Sequence, residues 1–275
     1  MVSDRRGYDT RFAALKQVLD DPDASYWGEG MRDDLLALVP DLPDTAAEAA
    51  LFRELAIVEA KRDEEICLDH ADRALAAHLA SGALSDESRY FMHQFCAAVG
   101  VDWTDDSRAA MHLDQALLLH EKLGRPAYEA FSVRKNKGVY ERKHGRARMG
   151  LDWFEPLLDD VTSQYGPDSP QVRHMLGLLC DSERRLGNIE GELAYAERSA
   201  SIPDVEAEED PGKRVSTLTW LGGVRFRAGR MDEARAAFDE AIGHADAYCR
   251  PPTQNFARES KAACFREQQA VSSNA

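Results

Sequence analysis

Residues 218–242 read LTWLGGVRFRAGRMDEARAAFDEAI. Leu218, Leu221-Gly222 and Phe226 recur at helical spacing, and so do Ala234, Phe238 and Ala241-Ile242 on the far side of Gly229. Two amphipathic helices separated by a glycine stop account for that pattern. The stop recurs. Gly145, Gly187 and Gly229 lie 42 residues apart, since 187 − 145 = 42 and 229 − 187 = 42. Each follows a basic last turn: Arg142-Lys143-His144-Gly145, Arg184-Arg185-Leu186-Gly187 and Arg227-Ala228-Gly229. Glycine ends helices because it takes the left-handed conformation without a Cβ clash. Self-similarity at a fixed period means stacked structural units.

Small and large residues also recur at that period. Gly222 has Cys180 and Gly138 one and two periods back, and Phe238 has Ala196 and Phe154. Small residues let paired helices approach, and large ones fill the gap toward the next unit. Composition agrees with an all-helical protein. Of 275 residues, 44% are hydrophobic and 30% charged, a globular balance rich in helix formers and poor in β-branched runs.

These residues resemble the tetratricopeptide repeat (TPR): a Leu-Gly pair, an aromatic, a turn glycine, then Ala, aromatic, Ala. The usual period is about 34 residues, so 42 is similar to the longer repeats of kinesin-light-chain type. The extra length falls in the segments Gln164–Pro170 and Ile202–Gly212, the first resembling the Gly-x-x-x-Pro connector of that subgroup. The resemblance covers about residues 127–247. It implies an all-α, right-handed α-solenoid of antiparallel helix pairs, with about five or six units and a C-terminal capping helix. Before residue 125 the register loosens, because one and two periods back from Gly145 stand Trp103 and Lys61. Helices still fit at 10–19, 30–39, 46–60, 64–81, 87–99 and 105–122, with Asp105-Asp106-Ser107 as an N-terminal cap. The expected organisation is a degenerate helical pair over 1–45, the solenoid over 46–250, and a capping helix and tail over 251–275.

In this architecture the first helix of each unit lines the concave face. The exposed positions there are expected to be Ser132, Lys135, Asn136, Val139, Arg142 and Lys143, then His174, Gly177, Asp181, Arg184 and Arg185. The third helix adds Ser216, Thr219, Gly223, Phe226 and Arg227. The charge between Phe131 and Gly150 opposes that of the whole protein. Seven Lys or Arg stand there against one Glu, in a protein of net charge −15. Guanidinium and ammonium groups favour carboxylates and phosphates. The candidate ligand-binding set is therefore Lys135, Asn136, Arg142, Lys143, His174, Asp181, Arg184, Arg185, Thr219, Phe226 and Arg227. It would face an acidic peptide, the C-terminal carboxylate of a partner, or a phosphorylated group. Lys135 and Asn136 resemble the Lys/Asn pair with which some family members hold a peptide carboxylate. The competing reading makes these basic residues solvated faces and partners of helix C-terminal dipoles.

No catalytic motif stands out. Cys67-x-x-His70 and His93-x-x-Cys96 could be read as zinc ligands, but Cys96 falls at the small packing position of the repeat and His70 at the aromatic one. His78, His112 and His120 lie on second helices, without a metal-ligand pattern. Trp27, Trp103, Trp153 and Trp220 are expected between helices. No cofactor and no metal is expected. Acidity argues against generic nucleic-acid binding. No window is long and apolar enough to span a membrane, and the N-terminus lacks a signal peptide's apolar stretch. Five scattered cysteines suit a reducing cytoplasm. The expected role is a cytoplasmic scaffold or adaptor for a protein or peptide. The alternative is a regulatory receptor, as in bacterial signalling, whose solenoid changes shape on binding a peptide or small molecule. A metal-dependent enzyme stands third.

Overall fold

The computed structural model describes residues 5–19, 29–59, 63–82, 85–101, 107–203 and 211–273. Trp27, Lys61, Trp103, Asp105, Asp106 and the 204–210 part of the second connector lie outside the described residues. Among those described, helices account for all regular structure. They are α1 (Arg5–Leu19), α2 (Glu29–Leu36), α3 (Thr45–Glu59), α4 (Glu64–Ser81), α5 (Asp86–Val99), α6 (Arg108–Lys122), α7 (Phe131–Lys143), α8 (Ala147–Tyr165), α9 (Pro170–Leu186), α10 (Ile189–Ser201), α11 (Pro211–Arg227), α12 (Met231–Tyr248) and α13 (Pro251–Ser273). Every helix expected from periodicity is present.

Local chemistry sets many of the ends. Asp63, Ser85, Ser169 and Asn188 each accept a hydrogen bond from a backbone N–H of the first turn, on Ile66, Ser88, Val172 and Gly191. Such caps satisfy donors that the helix leaves unpaired. Ser107 at the start of α6 does not do so. It adopts helical backbone angles and its hydroxyl makes no capping bond, while Asp105 and Asp106, the other two residues of the expected cap, lie outside the described residues. Gly145, Gly187 and Gly229 have φ of 77°, 73° and 75°, the left-handed conformation their position requires. A second series lies one helix out of step. Gly82, Gly124 and Gly166 also have positive φ and are again 42 apart (124 − 82 = 42, 166 − 124 = 42), each just past the end of α4, α6 or α8. α8 runs on through Pro156, which forgoes one intrahelical hydrogen bond.

The protein forms two compact units, residues 1–140 and 141–275. In the first, α3 packs on α4 and α5 on α6. Its core includes Tyr8, Leu35, Leu51, Leu55, Leu68 and Met92, and it takes in Cys67 and Cys96. Both cysteines are fully buried, where a thiol behaves as a small hydrophobe. His70 lies against Phe52 with ring centroids 5.3 Å apart, the packing place its register assigns.

In the second unit α8 packs on α9, α9 on α10, α11 on α12, and α13 against both α11 and α12. The small-and-large logic is visible in two successive pairs. Gly222 sits beneath the ring of Phe238, close enough that a Cβ on Gly222 would lie 3.0 Å from it. One period back, Cys180 and Ala196 occupy one core cluster with Leu221 and Val224. A larger residue on one helix is matched by a smaller one across from it, which keeps the packed volume filled.

Candidate functional site

Three helices of the second unit, α9, α11 and α13, wall a cavity of about 960 Å³. From α9 come Pro170, Arg173, His174, Gly177 and Leu178, from α11 Gly212, Lys213, Ser216 and Thr217, and from α13 Pro252, Thr253 and Phe256. His174 and Gly177 are three apart, and Pro252 and Phe256 four apart, so each pair shares one helix face. Gly177 carries no side chain into the space, and a Cβ there would meet nothing within 4 Å. Phe256 is 48% exposed, a large ring left open beside the cavity. The wall is braced by Arg173, whose Nη2 donates to the carbonyls of Ile202 and Pro203 at 2.7 and 2.8 Å. His174 and Lys213 add basic groups, and among the described residues no carboxylate lines the cavity.

A second hollow of about 450 Å³ shares Gly177 and continues along α9 past Cys180, Asp181 and Arg184, with Trp220 and Glu192 opposite. Here three guanidinium groups converge on one carboxylate. Asp181 pairs with Arg142 at 3.0 Å, with Arg185 at 3.1 Å, and with Arg184. Burial alone would raise the Asp181 carboxyl, but hydrogen bonds from Arg185 and Arg184 and the charge of Arg142 hold it below its ordinary value. Burial lowers the Arg142 guanidinium; Asp181 opposes that shift, while Arg185 and Arg184 add to it. Glu192 is engaged by Arg227.

The expected site residues therefore divide. His174 lines the main cavity; Asp181 and Arg184 line its continuation, and Arg142 and Arg185 converge there too. Lys143 is exposed and Lys135 half-buried. Three positions expected to be exposed are buried: Asn136 (5% exposed), Val139 (8%) and Thr219 (6%). The Asn136 Oδ1 and Thr219 Oγ1 are buried without a hydrogen-bond partner. Phe226 is half-buried with its ring edge-on to Phe265 at 5.3 Å. Lys135 and Asn136 belong to the first unit and do not line this cavity. Much of the basic stretch is neutralised locally, Lys137 by Asp114, Arg146 by Glu141 and Arg148 by Asp152. Sequence reasoning missed Arg173, Lys213, Pro252 and Phe256. The signal for α13 as a wall is its amphipathic stretch, which the sequence alone marks only as a cap.

Among the described residues no group of three or more His, Cys, Asp or Glu is placed to hold a metal ion. His93 faces His112 instead, Nδ1 to Nδ1 at 3.0 Å, and His112 Nε2 lies 3.1 Å from Asp72. No described helix is long and apolar enough to cross a membrane.

No family model matches the sequence, and no curated protein matches it. Solved structures do match in three dimensions. BtubC (BKLC) from P. vanneervenii aligns with a TM-score of 0.61 and 16% identity, over 87% of this protein and 91% of that one. A Podospora anserina protein of nearly identical kinesin-light-chain TPR-like repeats aligns with a TM-score of 0.58 and 13% identity, over 72% and 95%. The fold is a TPR-like α-solenoid. NprR, solved in complex with its cognate peptide NprX, shares this TPR-like fold, with a TM-score of 0.54 and 13% identity, over 100% of this protein and 78% of NprR. At such identities the likeness is one of fold, and side chains must carry any argument about ligands.

Proposed function

We propose that the second unit binds an extended peptide in the cavity between α9, α11 and α13, and that the protein acts as an adaptor or peptide-responsive regulator. The 960 Å³ cavity carries this reading. Its size lies in the range of ligand sites, and its lining mixes apolar surface (Pro170, Leu178, Phe256) with a few polar groups, as such sites do. A lining with His174 and Lys213 and without a carboxylate among the described residues favours an acidic ligand. The peptide held by NprR adds support from a protein of similar fold.

Binding is favoured over catalysis by the state of the reactive groups. Burial pushes the Cys180 thiol up to about 12 and raises Cys96 further, so neither supplies a thiolate near neutral pH. Burial likewise lowers His78 and His93 to about 4. A cytoplasmic location is proposed on the scattered cysteines, none of which is in a disulfide.

Gly177→Leu tests the reading, because it fills the cavity floor at a place where added atoms meet nothing within 4 Å. Labelled pools of acidic and basic peptides are titrated into the full-length protein at two salt concentrations. The acidic pool is expected to bind, with affinity falling at higher salt and lost in the variant. Equal binding by wild type and Gly177→Leu, or no binding by any pool, would refute the peptide groove.

A further inference from the structure

We propose that Arg142, Arg184 and Arg185 form a subsite for a phosphomonoester carried on the bound peptide. This rests on the groove reading above, because the subsite opens onto the hollow that shares Gly177 with the main cavity.

The charges are out of balance. Three guanidinium groups meet one carboxylate, Asp181, which is the one carboxylate paired with any of them among the described residues. Glu192, the other acid lining the hollow, is already matched by Arg227. Glu183 is buried and hydrogen-bonded to Asn188. Two positive charges remain over. Arg184 and Arg185 lie in the last turn of α9, and Arg142 in that of α7. A helix C-terminus contributes roughly half a negative charge, confined to its last turn. Both termini together therefore leave about one positive charge unmatched, and the side chains reach back by one turn to Asp181, away from the terminal carbonyls.

The donors are also underused. A guanidinium has about five N–H donors in a planar fork. Arg184 spends one on Asp181 through Nη2, and Arg185 one through Nε. Both side chains are about half exposed, at 54% and 46%, so the remaining donors face solvent. Arg142 differs. Its side chain is 12% exposed, and its Nε is buried without a hydrogen-bond partner. A largely buried cation flanked by two exposed ones gains most from an anion with more than one charge. A phosphomonoester brings about −1.5 to −2 at neutral pH and three acceptor oxygens. A single carboxylate brings about half that charge and two oxygens. Bidentate arginine–phosphate pairing suits the fork.

The test uses the full-length protein and two degenerate peptide pools, identical except that one carries a single phosphoserine where the other has serine. Fluorescence anisotropy is expected to show the phosphoserine pool binding at least tenfold more tightly. Inorganic phosphate should compete for it better than chloride at matched ionic strength. Arg184→Gln with Arg185→Gln, both on the surface, should abolish the preference, so that the two pools bind equally. Gly177→Leu should weaken both pools. Equal binding of the two pools by wild type, or a preference that survives the double variant, overturns the subsite and leaves the groove standing. If neither pool binds, the groove reading fails, and the thermal midpoint in inorganic phosphate decides the subsite. A rise over chloride that the double variant loses supports it; no such rise overturns it.

Discussion

A Cβ on Gly222 would sit 3.0 Å from the ring of Phe238, and that ring is 1% exposed. The helices α11 and α12 are therefore held at a separation that only a missing side chain permits. Gly222→Ala is expected to destabilise the second unit by about 1–3 kcal/mol through overpacking. Phe238→Ala should cost about 3–5 kcal/mol through the cavity it leaves. Combining Gly222→Ala with Phe238→Leu should recover part of the loss, since contacting residues couple. Urea unfolding followed by circular dichroism measures all three. Additive losses would show that the two residues do not share one packing site.

Gly177 presents the opposite situation within a helix of the same unit. A Cβ there meets nothing within 4 Å, so Gly177→Ala should stabilise by about 0.5–1 kcal/mol through reduced backbone entropy in the unfolded state. The urea midpoint should rise without a change in slope. A fall would mean that a side chain at this position is not accommodated in the open space beside Gly177.

Acid should weaken the first unit before it weakens the second. His78 and His93 are lowered from 6.5 to about 4, each mainly by burial, with Arg53 acting on His78 and with His112 and Arg89 acting on His93 against the opposing charge of Asp72. Their folded pKa lies below the unfolded one, so the unfolded state takes up the extra protons. Their stabilisation is complete above about 6.5 and is lost as pH falls toward 4. The loss is on the order of 1–3 kcal/mol per imidazole. Both ring nitrogens of His78 are buried without a hydrogen-bond partner, so His78→Leu should be near neutral at about pH 7 and stabilising at about pH 5. Thermal midpoints of wild type and variant across about pH 4–8 give the answer. Parallel curves would contradict it.

Arg173 braces the cavity wall through two carbonyls, those of Ile202 and Pro203. Arg173→Ala should cost about 1–3 kcal/mol, because hydrogen bonds from a charged donor are the stronger kind. Amide hydrogen exchange should quicken around 198–203 and at the start of α11. Unchanged exchange in that segment would show that the wall is held by packing alone.

Much of the fold was legible without coordinates. Helix ends depend on residues within one turn: Gly187 for its φ of 73°, Ser169 for its bond from Val172. The 42-residue period extends this local grammar along the sequence, and the series Gly82, Gly124, Gly166 carries it into the first unit, where the positions one and two periods before Gly145 are Trp103 and Lys61. Ser107 is the exception, a residue with the right side chain and the wrong backbone angles for a cap. The site was legible only in part. His174, Asp181 and Arg184, expected at exposed positions, line hollows, whereas Asn136, Val139 and Thr219 turn inward.

By itself, then, the sequence determined the helices, their pairing and the small–large register of Cys180/Ala196 and Gly222/Phe238, because each depends on neighbours a turn or one period away. Only the tertiary structure decided that Pro252 and Phe256 wall a cavity with His174, and that Arg142 reaches the same carboxylate as Arg184 and Arg185. A helix turns about 100° per residue, so a small rotation exchanges its buried and open faces. That rotation is set by packing against segments far away in sequence, and no local signal records it.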